Sequence, residues 1–332
     1  MEIVLGHIPS LEFWRLKRPH NRTRALLARR TEPEGFRAAV LEDAGKPTAA
    51  DLERLERLGL GQLSRPVQLV VPDVASRARN AQVACNVFDR RIPPAAFIDV
   101  GHGVFVESPE LCFLLKARES PFEKLVETGY ELSGTYRMSR EHPEGMVSDQ
   151  LPLASSASLR SFAARAQRLP GIKAARKALP FVLEGSASPK ETHLAMISCL
   201  PGRFGGYGFS PARLNYEVPI PEKARGRGVG RICRCDLYWP EAKLDVEYDS
   251  RLHHASENDQ IRDSARRTAL AYQGILVISV TSEQLHARLE MDKVANAMAK
   301  RLGVRLRSRA TDWETKRIRL RSSLLQSPHP PR

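Results

Sequence analysis

Five carboxylates lie close together in residues 236–254, the stretch DLYWPEAKLDVEYDSRLHH, of a chain that is otherwise strongly basic. They are Asp236, Glu241, Asp245, Glu247 and Asp249. Carboxylate oxygens are the ligands that Mg²⁺ takes in proteins, usually one or two of them together with waters and a phosphate. A dication held in this way polarises a phosphoryl oxygen and lowers the pKa of a bound water. These acids therefore indicate metal-assisted hydrolysis of a phosphodiester, with Mg²⁺ or Mn²⁺ as the cofactor.

Two antiparallel strands, near 231–239 and 244–250, are predicted to position these acids. The pattern around the turn at 240–243 sets one register: Trp239 meets Leu244, Leu237 meets Val246, and Asp236 meets Glu247. Side chains alternate between the two faces of a strand, so the acids at 245, 247 and 249 share one face. Directly opposed like charges destabilise a strand pair. We therefore expect a positive group between the two strands.

That positive group can be a metal ion or an arginine, and the spacing of the acids does not decide between them. The same register places Arg234 opposite Asp249. Arg262 and Arg266 lie one turn apart on the next predicted helix, within reach of the acidic strand.

The fold class predicted for the chain is α/β (α+β), in four parts. Residues 1–150 form an N-terminal mixed α/β domain of unknown role, with strands at 67–72 and 96–106 and helices that begin at Thr48, Ser108 and Ser120. Residues 151–185 form a basic helical connector. Residues 186–303 form a core with the order α-β-β-β-α-β-α. The basic tail, 304–332, is predicted to be disordered.

The acidic stretch and its surroundings resemble the PD-(D/E)XK restriction-endonuclease-like superfamily. The match is to the very-short-patch-repair-like branch of uncharacterised bacterial proteins, whose core reads roughly D-L-x-W-P-x-x-x-L-x-V-E-Y-D-G-x-x-H, and it covers about residues 186 to 285. The resemblance implies a restriction-endonuclease-like core with Asp236 and Glu247 as metal ligands. It also implies that Glu191, on the preceding helix, completes the metal shell. Glu191 equally closes an S-x-x-E capping box with Ser188, which is a purely structural role.

Two positions depart from the superfamily pattern. Its catalytic Lys is replaced by Asp249, which would add a metal ligand or orient the attacking water, and the following Gly is Ser250. Lys243, Arg262 and His253 remain as candidates to activate the water. His253 fits the histidine of the family, and its ordinary pKa suits a general base or acid near neutral pH.

A more diffuse resemblance links the chain to AbiEi-type proteins, a type IV antitoxin and regulator group. The segments SPELCFLLKA at 108–117 and ASPKETHLAMISCLPGRFGGYG at 187–208 carry it, together with the nuclease-like core. The winged-helix start of that group has no counterpart in the first 60 residues. The resemblance implies a catalytically inactive DNA-binding regulator, whose partner would be a toxin encoded nearby. A neighbouring methyltransferase would instead accompany a nuclease.

The charge of the chain favours DNA as the partner. The formal net charge is +14 over 332 residues, and aromatic residues make up 6%, which argues against a specialist in stacking single-stranded bases. Basic segments at 155–183 and 300–321 would hold a duplex by releasing counterions. The phosphate contacts are predicted at Arg262, Arg266, Lys316, Arg317, Arg319 and Arg321. An interaction module that binds no nucleic acid is the third alternative.

The chain is expected to be cytoplasmic, since it has neither a membrane span nor a recognisable signal peptide at its start. Its five cysteines do not form the pattern of a disulfide framework. Cys233 and Cys235 are predicted to be small buried side chains rather than metal ligands.

Overall fold

The computed structural model describes residues 2–17, 44–78, 80–88, 92–93, 95–167, 169–226, 228–249, 257–306 and 311–325, with only the backbone described at 257–259 and 311. The chain is mixed α/β and divides into two compact units, Met1–Val182 and Leu183–Arg332. Among the described residues, no helix has the length and apolar character needed to cross a bilayer.

The first unit is built on a five-stranded mixed sheet with the order β3-β2-β1-β5-β4. Its elements are β1 (Ile3–Leu5), α1 (Ile8–Leu16), α2 (Ala49–Arg57), β2 (Val67–Val71), β3 (Val83–Val87), β4 (Phe97–Gly101), β5 (Val104–Glu107), α3 (Pro109–Lys116), α4 (Phe122–Ser133), β6 (Arg137–Met138), β7 (Met146–Val147), α5 (Ser156–Arg165) and α6 (Ile172–Ala178). β1 pairs parallel with β5 and antiparallel with β2. These central strands are wholly buried and apolar apart from Glu107, as expected for strands covered on both faces.

Helix starts in this unit follow the predicted caps at two of three places. The Ser108 side chain accepts a hydrogen bond from the N–H of Leu111, and Thr48 forms a capping box with Asp51. The third predicted start, at Ser120, is one residue too early. Pro121 holds the N-cap position of α4 there, and no side chain caps that helix.

The basic segment predicted as a connector belongs to the first unit. Phe162 of α5 packs in the same core cluster as Leu111 and Leu114 of α3, and Ala175 and Ala178 of α6 are fully buried. The lysines and arginines of α5 and α6 are exposed: Arg160, Arg165, Lys173, Arg176 and Lys177. The compact unit ends at Val182, because the apolar faces of both helices are used in its core.

The second unit has a four-stranded sheet with the order β11-β10-β9-β8. Its elements are α7 (Pro189–Cys199), β8 (Arg213–Pro219), β9 (Ile232–Trp239), β10 (Leu244–Asp249), α8 (Glu257–Tyr272), β11 (Leu276–Thr281), α9 (Ser282–His286), α10 (Arg288–Leu302) and α11 (Thr311–Leu325). The predicted order α-β-β-β-α-β-α is present, except that the last helix is divided at Ala287 into α9 and α10. One face of the sheet packs on Ala269 and Leu270 of α8. α7 and α10 also contact the central strand β10.

The predicted disorder of the tail is wrong for residues 311–325, which form α11. Leu320 and Leu324, four residues apart on this helix, are 2% and 3% exposed. A Cβ on Gly205 would lie only 2.4 Å from the carbonyl oxygen of Lys316, so only glycine lets the loop and the helix backbone approach this closely. The helix is therefore packed into the second unit.

Candidate functional site

The two acidic strands pair in the predicted register up to the position of Asp236. Trp239 lies opposite Leu244 and Leu237 opposite Val246. The next predicted pair, Asp236 with Glu247, is absent from this ladder. Instead, the backbone N–H of Tyr248 donates to Oδ2 of Asp236 at 3.0 Å. A side-chain carboxylate therefore takes the place of a backbone acceptor.

β9 changes its side-chain alternation at Asp236. Cys235 and Tyr238 pack in one core cluster although regular alternation would send them to opposite faces. On the other side of β9, Leu214 pairs with Leu237 and Tyr216 pairs with Cys235. Between these pairs Asn215 has a φ of 47°, a conformation that Asn tolerates better than most residues. At this irregularity Asp236 is only partly buried, whereas Cys235 and Leu237 on either side of it are 0% exposed.

Glu191 lies at the first turn of α7 and faces Asp236. Its carboxylate accepts hydrogen bonds from the Ala187 N–H at 2.9 Å, the Ser188 hydroxyl at 3.0 Å and the Asn215 amide at 2.6 Å. Burial raises the pKa of Glu191 in spite of these bonds. The predicted capping box is only half formed, because the Ser188 hydroxyl accepts the Glu191 N–H while the Glu191 carboxylate binds the Ala187 N–H instead of the Ser188 N–H. Glu191 therefore helps to fix the start of α7 and is also a member of the acidic site.

The pKa of Asp236 is raised by burial and by the nearby carboxylate of Glu191. Burial, followed by the negative charge of Glu191, raises the pKa of Asp236 to about 7, although the Tyr248 N–H bond opposes the shift. Two carboxylates in one partly dry site cannot both ionise freely. Any cation that enters between them would relieve this repulsion.

Arg266 neutralises the other half of the site. Its Nη2 contacts Oε1 of Glu247 and lies 3.9 Å from Oδ2 of Asp245. The side chain of Asp245 is 0% exposed, and burial together with the adjacent Glu247 raises its pKa to about 9. The guanidinium of Arg266 therefore lies beside both carboxyl groups and offsets negative charge in this half of the site.

Apart from Asp245, these groups line one open cleft of about 500 Å³. Its acidic lining residues include Glu191, Asp236, Glu247, Asp249 and Asp263, and its basic ones are Arg234, Arg262, Arg266 and Arg267. Carboxylates and guanidinium groups in the same cleft suit a ligand that presents both phosphate and a bound cation.

The three-carboxylate metal shell predicted from the sequence is not assembled in the structure. No group of three or more His, Cys, Asp or Glu side chains is placed to hold a metal ion in the parts of the chain that the structure describes. The reason is visible in the contacts: Glu247 is held by Arg266, and Glu191 by its cap. The donor chemistry still fits Mg²⁺, because Asp236 and Glu191 crowd each other and Mg²⁺ needs only one or two carboxylates.

The other predicted site residues have varied positions. Arg234 lies opposite Glu217 of β8, at 3.8 Å, and its predicted pairing with Asp249 is absent from the β9–β10 ladder. Lys243 donates to the Gln273 carbonyl at 2.9 Å and does not line the cleft, which argues against its role as the water activator. His253 lies outside the described residues, as does Ser250.

The phosphate contacts predicted on the tail are wrong for two of four residues. Arg317 and Arg321 are 3% and 7% exposed. Arg317 donates to Asp292 and to the Tyr207 hydroxyl, while Arg321 donates to the Leu285 carbonyl at 2.5 Å. These arginines stabilise the docking of α11. Lys316 pairs with Asp312, and Arg319 is exposed.

One basic segment near the cleft was missed by the sequence reasoning. Residues 222–234, EKARGRGVGRICR, carry five Lys or Arg and one acid. They join β8 to β9, and Gly228, Val229 and Gly230 line the cleft. The sequence pattern that could have identified this segment is the alternation of arginine with glycine, because glycine leaves room for a ligand next to the charged side chains.

Comparisons with known proteins give relatives but no activity. No family model matches the chain, and no solved structure matches it. Two curated relatives are uncharacterised proteins of Mycobacterium tuberculosis, one from strain CDC 1551 and one from strain H37Rv, each 30% identical over 135 residues. The match covers 40% of this chain and 43% of each relative, so the chain spans less than half the length of the relatives it matches.

Proposed function

We propose that the second unit is a metal-dependent DNA endonuclease or nickase of the PD-(D/E)XK type. The observation that carries the proposal is the cleft lined by Glu191, Asp236 and Glu247 together with Arg262 and Arg266. The strand order and the resemblance of the acidic stretch to that superfamily support it. The +14 charge of the chain supports a polyanionic substrate.

Each group of the cleft has a distinct part in the proposed reaction. Asp236 and Glu191 would hold the dication, with Glu247 joining them when Arg266 turns toward substrate. The dication would supply a polarised phosphoryl oxygen and a more acidic water. Arg262 is exposed at the cleft and would hold the phosphate. Asp249 lines the cleft and would orient the water.

The runner-up function is a catalytically inactive DNA-binding regulator of the AbiEi antitoxin type. The contact of Arg266 with Glu247 favours it, because an arginine already supplies the positive charge that a metal would otherwise bring. In that case the carboxylates are a structural feature of a scaffold, and DNA binding needs no dication.

Nicking of supercoiled plasmid by the purified full chain separates these two functions. We expect Mn²⁺ or Mg²⁺ to be required for nicking, and Asp236→Asn and Glu247→Gln to abolish it while DNA affinity stays within about twofold. Glu241→Gln is the matched control, because Glu241 is an exposed acid of the adjoining turn and does not line the cleft. Equal nicking by wild type and Asp236→Asn, or none at any metal concentration, would refute the hydrolytic function.

A further inference from the structure

A set of exposed arginines forms one side of the cleft and continues beyond it. Arg234 on β9 has 56% of its side chain exposed, and its only ion-pair partner among the described residues is Glu217, at the long distance of 3.8 Å. Arg262 and Arg267 are exposed on α8 and line the same cleft. We call these three residues the arginine wall.

The β8–β9 connection is packed against α8, so the arginines of the two elements form one surface. Gly226 lies against Ala265, where an added Cβ would be 3.5 Å from the alanine Cβ. Gly228 has a φ of 82° and leaves space for the stem of Arg262, whose Cγ would be 3.3 Å from an added Cβ. A side chain at Gly228 would both strain the backbone and displace Arg262.

The positive surface is longer than the cleft. Lys223, Arg225 and Arg231 are exposed on the same β8–β9 connection but do not line the cleft. A single phosphate or a mononucleotide would reach only the arginine wall, whereas a polymer with regularly spaced phosphates would reach both groups. Tyr248 is the only aromatic side chain that lines the cleft among the described residues, which does not favour a stacked single strand.

We propose that the arginine wall and the cations of the β8–β9 connection bind the phosphate backbone of duplex DNA beside the acidic site. This inference rests on the proposed function and names the surface by which the substrate is held. Guanidinium groups suit it because they pair with phosphate oxygens in a bidentate manner. In this arrangement one phosphate lies over Asp236 and Glu247, and its neighbours along the strand lie on the arginines.

Fluorescence anisotropy with a labelled duplex of about 20 base pairs tests this surface, in EDTA so that cleavage plays no part. We expect the double variant Arg231→Ala/Arg234→Ala to bind at least tenfold more weakly at about 100 mM salt. The slope of log affinity against log salt should fall by about 2, one for each lost phosphate contact. The charge-matched control is Arg140→Ala/Lys293→Ala, which removes two exposed cations that do not line the cleft and lie outside the basic segments predicted to hold DNA.

The outcomes separate this inference from the proposed hydrolysis. Equal weakening in the control pair, or an unchanged salt slope in the arginine pair, would overturn the inference whatever the nicking assay shows. Tighter binding of the matching single strand than of the duplex would overturn it as well. Selective weakening in the arginine pair, with no nicking by wild type, would support the surface and refute only the hydrolysis. Circular dichroism of each variant checks that these exposed substitutions leave the fold intact.

Discussion

Glu107 predicts an unusual dependence of stability on pH in the first unit. It is the last residue of β5 and is 0% exposed. Oε2 accepts a hydrogen bond from the backbone N–H of His7 at 2.9 Å and lies 3.7 Å from the Cys112 sulfur. Oε1 has no hydrogen-bond partner among the described residues. Burial raises the pKa of Glu107 from 4.5 to about 8, and the bond from His7 only partly opposes this.

The folded protein therefore binds the Glu107 proton more tightly than the unfolded chain does. Below about pH 4.5 the Glu107 carboxyl group is protonated in both the folded and the unfolded state, so it does not lower the free energy of unfolding. Between about pH 4.5 and pH 8 the unfolded chain releases the proton and the folded protein keeps it, so stability falls as pH rises by up to about 1.4 kcal/mol per pH unit. Above pH 8 the loss is complete, with an upper limit of about 5 kcal/mol.

Glu107→Gln should remove this loss, because glutamine does not ionise and its carbonyl oxygen can still accept the His7 N–H. We expect the free energy of unfolding of the variant, minus that of wild type, to rise from pH 5 to pH 8 and then level off. Urea titrations followed by tryptophan fluorescence measure it, since Trp14 is buried in this unit and donates to the Glu107 carbonyl. Glu144→Gln, at an exposed position, should give a flat difference. A flat difference for Glu107→Gln too would refute the reasoning.

Three further predictions concern packing and charge. Arg317→Ala should lower the free energy of unfolding of the second unit by about 3–5 kcal/mol in urea titrations, because it leaves a partly buried aspartate without its partner, while Arg319→Ala should leave it unchanged. Gly129→Ala should lower the free energy of unfolding of the first unit by about 1–3 kcal/mol, because the new Cβ would lie 2.5 Å from a methyl group of Val182. An unchanged thermal midpoint would contradict this. Arg266→Ala should bind Mn²⁺ more tightly than wild type by calorimetry, because it releases a glutamate, and the charge-matched Arg267→Ala should raise the affinity less.

Local rules predicted most of the second unit. The period-2 pattern of β9 and β10 was enough to pair Leu237 with Val246, and Pro and Gly marked the ends of α7 and the start of β11. The prediction was wrong at the next position, where Asp236 does not pair with Glu247. The change of alternation at Asp236 depends on a positive φ at Asn215, in a different strand, and no periodicity within β9 contains that information.

Charge was the least reliable guide to position. The basic run KRIRLR at 316–321 predicts either contacts with a phosphate backbone or disorder. Arg317 is buried because Asp292 and Tyr207, distant in sequence, provide its partners. The opposite happened at the β8–β9 connection. Its cations are separated by glycines and do not form a continuous basic run, so charge alone did not mark the segment, although it lies beside the acidic residues of the cleft.

The docking of α11 determines how this chain can be shortened or joined to another. A polypeptide cut after Gly303, the predicted end of the core at 186–303, would lose Leu320, Leu324 and the guanidinium of Arg317 together. Asp292, Tyr207 and the backbone beside Gly205 would then be uncovered. Fusion partners and affinity tags for the second unit should therefore be attached after residue 325, so that α11 can still pack on the core.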